Sequence, residues 1–314
     1  MKLQQLRYAV EVFRRNLSVS EAAEALFTSQ PGISKQIRLL EEELGMQIFI
    51  RSGKRIIAVT EPGRTVLETA GQILRDVQNI RNISGEFADA HKGMLTVAAT
   101  PAQVRFRLPD AISRLAADYP EVQLTLRQGS AAEAAEMVYN GNADIALVAE
   151  APEDYENLRR LPCGEQHYAL VVPEGHRLVQ KKKISLSDIA ACPLLAYEPV
   201  FRHGSVLARA FGRIRTADYR VALASADDGI LKTYIRLGLG IGLLDRQSCG
   251  TDGDGLAVLD VSRLIEAAPV RILLRPDALI RGYVYDFIGY LNPALTREKI
   301  NRLLYAPAVE DFSI

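Results

Sequence analysis

Ile33, Ile37, Leu40 and Leu44 stand four, three and four residues apart, directly behind the stretch Phe27-Thr28-Ser29-Gln30-Pro31. That spacing lays the four side chains along one face of a helix. Ser29 is an N-cap candidate, and Pro31 is tolerated in a first turn whose N–H groups have no intrahelical acceptor, so the helix begins near Gln30. Upstream, Leu3, Leu6, Val10 and Phe13 form another apolar stripe, predicting a helix over about 3–15 that closes at Asn16-Leu17. Ser18-Val19-Ser20-Glu21 then reads as a capping box opening a short helix from Ser20 to about Leu26. Two helices separated by only three residues can fold only as a tight angular pair.

Burying the stripe turns Gln30, Ser34, Lys35 and Arg38 outward. Arg and Lys match guanine acceptors and Gln matches adenine, so this face suits major-groove readout and the pair reads as a helix-turn-helix. A plain three-helix bundle with a solvated face fits the same spacing. After Gly45, residues 47–51 and 56–59 read as two strands around the turn Ser52-Gly53-Lys54-Arg55. Such a wing would carry Arg51, Lys54 and Arg55 on a protruding tip, as phosphate contacts require. Charge agrees locally: the first sixty residues hold nine Lys and Arg against six Glu, while the whole chain of 314 residues balances 38 against 38. Double-stranded DNA is therefore an expected partner through a patch, not through net charge.

Thr60-Glu61-Pro62 opens a further helix whose apolar positions, among them Val66, Ala70, Ile73, Leu74, Val77, Ile80 and Ile83, run to about Ala90. A helix of that length reads either as a linker and dimerisation element or as a long surface helix. From Gly93 the pattern alternates. Strand-like runs at 94–99, 122–126, 145–148, 167–172, 193–197, 219–224, 240–244, 256–261 and 270–274 are interleaved with helical segments, which predicts α/β architecture with parallel sheets. The expected organisation is a DNA-binding domain over 1–59, a linker helix over 60–92 and an effector domain over 93–314. The last divides into lobe I (about 93–165 and 267–314) and lobe II (about 166–266), with a ligand cleft between them.

Several classes are disfavoured. The four histidines lack metal spacing, no catalytic signature of the G-x-S-x-G, H-E-x-x-H or P-loop kind is present, and no cofactor is expected. Gly238-Leu239-Gly240-Ile241-Gly242 follows a helix and precedes a strand, the reverse of a dinucleotide fingerprint, and reads as a tight turn. Three separated cysteines fit a reducing compartment. No apolar run reaches a membrane span and the first residues lack an export signal, so a cytoplasmic location is expected and no membrane partner. A solute-binding protein would account for two lobes but not for residues 1–90.

The order of these parts, with the runs MKLQQLRY, LFTSQPGISKQIRLLEEELG, IFIRSGKR, QGS, GNADIA and KTYIRLGLGIG, resembles the LysR-type transcriptional regulators and, within them, the CysB-like branch concerned with cysteine synthesis and sulfur assimilation. The resemblance implies a winged helix-turn-helix, a linker helix and an effector domain similar to type 2 periplasmic binding proteins, assembled as a dimer of dimers that contacts RNA polymerase. It also implies DNA contacts at Ser29, Gln30, Pro31, Ser34, Lys35, Arg38, Arg51, Lys54 and Arg55, on an imperfect palindrome. The implied effector is a small anion, an acetylserine or else sulfate or thiosulfate, held by a threonine-rich pocket. Thr100, Gln103, Gly129 and Ser130 match that pocket. Ala102, Ala149 and Arg202 depart from it: two hydroxyl donors are lost and a guanidinium takes a third position, where it either meets an oxyanion, makes a cleft-edge salt bridge or stays an exposed side chain. A regulator of another pathway, with a different carboxylate or oxyanion effector, is the alternative.

Overall fold

The computed structural model describes residues 1–305 except 54, 89, 153, 154, 156, 199–203, 214–218 and 251–254; over 81–88 it describes the backbone, with the side chain only at Ile83. The chain divides into two units, Met1–Phe87 and Ala88–Ile314. The first contains α1 (Leu3–Arg14), α2 (Val19–Ala25), α3 (Gln30–Leu44), the hairpin β1 (Phe49–Ser52) and β2 (Arg55–Val59), and α4 (Glu61–Ala88). Ile33, Ile37 and Leu40 of α3 are fully buried against Leu6, Ala9, Val12 and Ala22, with Ile48 and Phe49 closing the core from the hairpin. The buried face of α1 is rotated from its expected position, because packing centres on small Ala9 and on Val12 while Leu3 and Phe13 stay exposed. Leu44, the last residue of α3, is also exposed beside Gly45, whose φ of 68° ends the helix in the left-handed region.

In the second unit, β3 (Lys92–Ala99), β4 (Glu121–Gln128), β5 (Ile145–Ala149), β6 (Arg159–Gln166) and, from late in the chain, β12 (Ala268–Leu274) form a sheet in the order β4-β3-β5-β12-β6. Helices α5 (Pro101–Phe106), α6 (Leu108–Asp118), α7 (Ala131–Tyr139), α11 (Gly282–Leu291) and α12 (Arg297–Tyr305) accompany it. Strand alternation explains the two-sided burial: Leu95, Val97 and Leu147 join the core with Leu108, Leu115 and Phe287, whereas Ala98, Ala146 and Val148 pack with Ala134 and Val138 of α7. The second sheet, in the order β11-β7-β10-β8-β9, holds β7 (Tyr168–Pro173), β8 (Leu194–Ala196), β9 (Val221–Ala224), β10 (Ile241–Asp245) and β11 (Leu256–Asp260), with α8 (Leu186–Ala190), α9 (Val206–Gly212) and α10 (Asp228–Arg236) around it.

Both sheets are mixed, where alternation alone predicts parallel ones. β12 runs antiparallel to β5 and β6, and β7 antiparallel to β10 and β11. The cause is the double crossover: the chain leaves the first sheet through β6 into β7 and returns through β12, so the crossing strands enter against the direction of the others. β6 escaped the sequence reading because Arg159, Arg160, Pro162 and Glu165 mask its alternation; it is an edge strand, where Pro is tolerated. The glycine run does what its order suggested. Gly238 takes φ 78° after α10, and a Cβ on Gly240 would lie 2.2 Å from the Pro193 carbonyl oxygen, so only glycine lets the chain turn this close to β8.

Candidate DNA interface and effector cleft

The outer face of α3 is built by its two ends. Ser29 has extended backbone and its Oγ accepts the Gly32 N–H at 3.3 Å, which starts the helix; the buried stripe then fixes its rotation. Ser29, Gln30, Pro31, Ser34, Lys35 and Arg38 are all exposed on one side. Phe27, in the turn between α2 and α3, is 97% exposed with φ 50°, an apolar side chain beside this polar face that the pattern of spacings passed over.

The hairpin is tied to α3 by a residue that reads as surface charge in sequence. Glu41 is only 6% exposed, and its Oε1 accepts the N–H of Ile48 at 2.9 Å and of Phe49 at 3.0 Å, while its Oε2 accepts Arg51 Nη1 at 2.7 Å. The position was readable: Glu41 continues the series Ile33, Ile37 at four-residue steps, so it shares the buried face. Arg51 is thereby anchored at the wing's base, and Arg55 is exposed at its tip; Lys54 lies outside the described residues. Thr60 completes the junction, donating through Oγ1 to Gln47 O at 2.7 Å and accepting from Gly63 N at 2.9 Å. A Cβ on Gly63 would sit 2.3 Å from Ile48 O, so α4 can start against the wing only with glycine there.

Between the two sheets of the second unit lies a cavity of about 700 Å³, its open mouth included. Thr100, Ala102, Ser130, Ala131 and Ala149 line it from the ends of β3, β4 and β5; Glu150, Gln166 and Tyr168 line it at the crossover; Tyr197, Glu198, Ser205, Leu207 and Ala226 line it from the second lobe. Thr100 is the N-cap of α5 but makes no side-chain cap bond, whereas Ser130 Oγ accepts the Glu133 N–H at 3.3 Å. Gln103 is fully buried and is not a lining residue; its Nε2 donates to Gln166 Oε1 at 2.9 Å and its own Oε1 has no partner among the described residues. Gly129 joins β4 to α7, its N–H bonded to Ala99 O at 3.3 Å. Arg202 lies outside the described residues.

Contacts across the cleft set its shape. Glu150, at φ 51°, accepts the Val206 N–H at the start of α9 through Oε1, and Arg105 Nη2 meets Asp227 Oδ2 at 3.0 Å. Tyr197 is fixed by its hydroxyl, which donates to Asp228 Oδ1 at 2.8 Å and accepts the Asp245 N–H at 2.9 Å. Burial, with the Asp228 charge beside it, pushes the Tyr197 hydroxyl well above the usual phenol range, and burial with Glu150 and Asp245 does the same at Tyr168. Both phenols therefore stay neutral. Among the described lining residues there are two carboxylates and no Lys, Arg or His.

The family of bacterial regulatory helix-turn-helix proteins named for lysR matches residues 3–64, and the LysR substrate binding domain matches residues 88–296. The chain belongs to the LysR family. It is 39% identical to the HTH-type transcriptional regulator CysB of Burkholderia cenocepacia over 98% of each chain, and 40% identical to the regulator SsuR of the same organism over 97% of this chain and 99% of SsuR. Among solved structures, the cofactor-binding domain of the Cbl transcriptional regulator matches 69% of this chain and 95% of its own at 35% identity, with a TM-score of 0.63. This LysR-type chain is thus a DNA-binding transcriptional regulator in a family of regulators rather than enzymes. Among its described residues no helix is long and apolar enough to cross a membrane.

For this regulator, sequence reading named Arg202, outside the described residues, on the second lobe's side of the cleft and passed over the described lining residues there. Ser205 was accessible to it, since it caps α9 by accepting the Ala208 N–H at 3.0 Å. Tyr168, Tyr197 and Glu198 carry no local signal, because sheet packing across the crossover brings them to the cavity.

Proposed function

We propose that this LysR-type regulator reads an operator through α3 and its wing, and controls sulfur-assimilation and cysteine-synthesis genes in response to an acetylserine-type effector bound in the cleft. The supporting observation is the cavity itself, which collects the hydroxyls of Thr100 and Ser130 and the start of α7 beside a crossover that can transmit lobe movement. Gln30, Ser34, Lys35 and Arg38 read base edges; Ser29, Pro31, Arg55 and Lys54 position the phosphate backbone. Arg51 joins them from its anchorage on Glu41. Residues 1–59 form the DNA-binding domain, 60–92 the linker through which chains pair, and 93–314 the effector domain of a cytoplasmic dimer of dimers that addresses RNA polymerase. Gln103 and Gly129 support the effector site from behind its lining.

The effector alters transcription by preferring one arrangement of the lobes over the other, since equal affinity for both shifts nothing. A thermal-shift series with O-acetylserine, N-acetylserine, sulfate and thiosulfate tests this. A ligand at one hundred times its Kd adds about 2.7 kcal/mol, and the shift should vanish in Thr100→Ala. Absence of any shift would assign the cleft to another pathway's effector.

A further inference from the structure

We infer that Phe27 is a base-reading residue, its ring packing against the 5-methyl group of a thymine in the major groove, beside the bases that α3 reads. The inference rests on the reading of α3 as the recognition helix and adds an apolar contact to its polar ones. Phe27 is the most exposed large apolar side chain among the described residues. The core built by α1, α2 and α3 takes Ala23 and Leu26 before it and Ile33 after it, and leaves Phe27 out. Its place is nonetheless fixed. The Phe27 N–H donates to Glu24 O at 3.1 Å and the Thr28 N–H to Ala23 O at 2.9 Å, so the backbone on either side of the ring is pinned to α2.

The backbone makes this residue type conspicuous. At φ 50° an aromatic residue meets a Cβ penalty that glycine escapes, and a ring left in water adds nothing to folding. The turn by itself calls for glycine or asparagine, so the contact that the ring serves lies outside this chain. Chain order says where. A recognition helix enters the major groove by its first residues, and Phe27 stands two residues ahead of the N-cap Ser29 and three ahead of Gln30. Three steps of about 3.8 Å keep its Cα within about 11 Å of the Gln30 Cα, less than the roughly 12 Å width of the groove. Gln30, Ser34, Lys35 and Arg38 suit hydrogen-bonding base edges. The apolar mark of a base pair in that groove is the thymine methyl, and a phenyl ring is among the side chains that match it.

Duplexes enriched by the full chain from a random-sequence library supply the probe. Each is resynthesised with deoxyuridine for thymine, one position at a time, which removes only the methyl. Gel-shift titration should find one thymine per half-site whose replacement raises the Kd about four-fold, the weight of one buried methyl. Phe27→Gly should bind the thymine and deoxyuridine duplexes alike, at the weaker affinity. Glycine suits this φ, so the variant folds, and circular dichroism verifies it; Phe27→Leu, which keeps an apolar head, should retain part of the penalty. Indifference of the native chain to every deoxyuridine overturns the inference. A penalty that persists in Phe27→Gly does the same, by assigning the methyl to another residue such as Pro31. Equal losses on enriched and random duplexes would put the ring on the deoxyribose backbone instead, and unchanged binding to both would leave it to a protein partner. In each of these cases the recognition helix stands; if no sequence is enriched, the reading of α3 falls and the inference with it.

Discussion

Glu41 and Glu150 are both carboxylates that accept backbone N–H groups from a distant segment, yet one is a structural pin and the other faces a ligand cavity. Glu41 accepts two N–H groups and a guanidinium and is sealed by the core of the first unit. Glu150 accepts an N–H across a cleft, on a backbone in the left-handed region, with one side open to the cavity. A carboxylate's role is thus set less by its hydrogen bonds than by what closes around it. Where apolar side chains complete the shell, the charge is locked; where a cavity completes part of it, the carboxylate stays at the edge of open space and ties one lobe to the other.

The largest expected effect is at the pin. Glu41→Ala leaves two buried N–H groups and the Arg51 guanidinium without their acceptor, and should lower the stability of the first unit by about 3 kcal/mol in denaturant titration, with loss of DNA binding. A loss below about 1 kcal/mol would erase the contrast with Glu150.

Next comes the recognition face. Arg38→Ala should weaken operator binding by about 1–3 kcal/mol and non-specific binding much less, whereas Arg55→Ala should weaken both alike and reduce the salt slope by about one. Gel-shift titrations at several salt concentrations check both; equal losses on the two DNAs would make Arg38 another backbone contact.

At the cleft, Glu150→Ala should cost about 1–2 kcal/mol in thermal stability of the second unit, through the unpaired Val206 N–H. Glu150→Gly should cost less than Glu150→Ala by roughly 1 kcal/mol, since glycine adopts φ near 51° without a Cβ penalty. Identical losses would mean that the backbone there is unstrained and that only the carboxylate matters. The smallest effect belongs to Arg105 and Asp227, a largely solvated pair. Their coupling in a double-mutant cycle should be under about 0.5 kcal/mol, and a larger value would make this pair, rather than Glu150, the principal tie between the lobes.

The elements that sequence exposed are those whose causes are local. Ser18 and Ser29 cap helices within three residues of themselves, Ile33, Ile37 and Leu40 declare a buried face by spacing, and the strands of the second unit announce themselves as short apolar runs. Matched to the LysR family by such features, the first unit and the alternating α/β body are legible in the sequence. The rotation of α1 about Ala9, the antiparallel entry of β12, and β6 beneath its charged residues were not, because each depends on a partner far along the chain. The same holds for the candidate site. Thr100 and Ser130 follow strands and were found there; Glu150, Tyr168, Tyr197 and Glu198 become one wall only when the two crossovers bring the lobes together. Sequence by itself determined the helices, their caps and the polar outer face of α3, since turns and periodicities are settled within a few residues. Only the tertiary structure decided which carboxylate is sealed and which borders a cavity, since burial is a property of what packs from elsewhere.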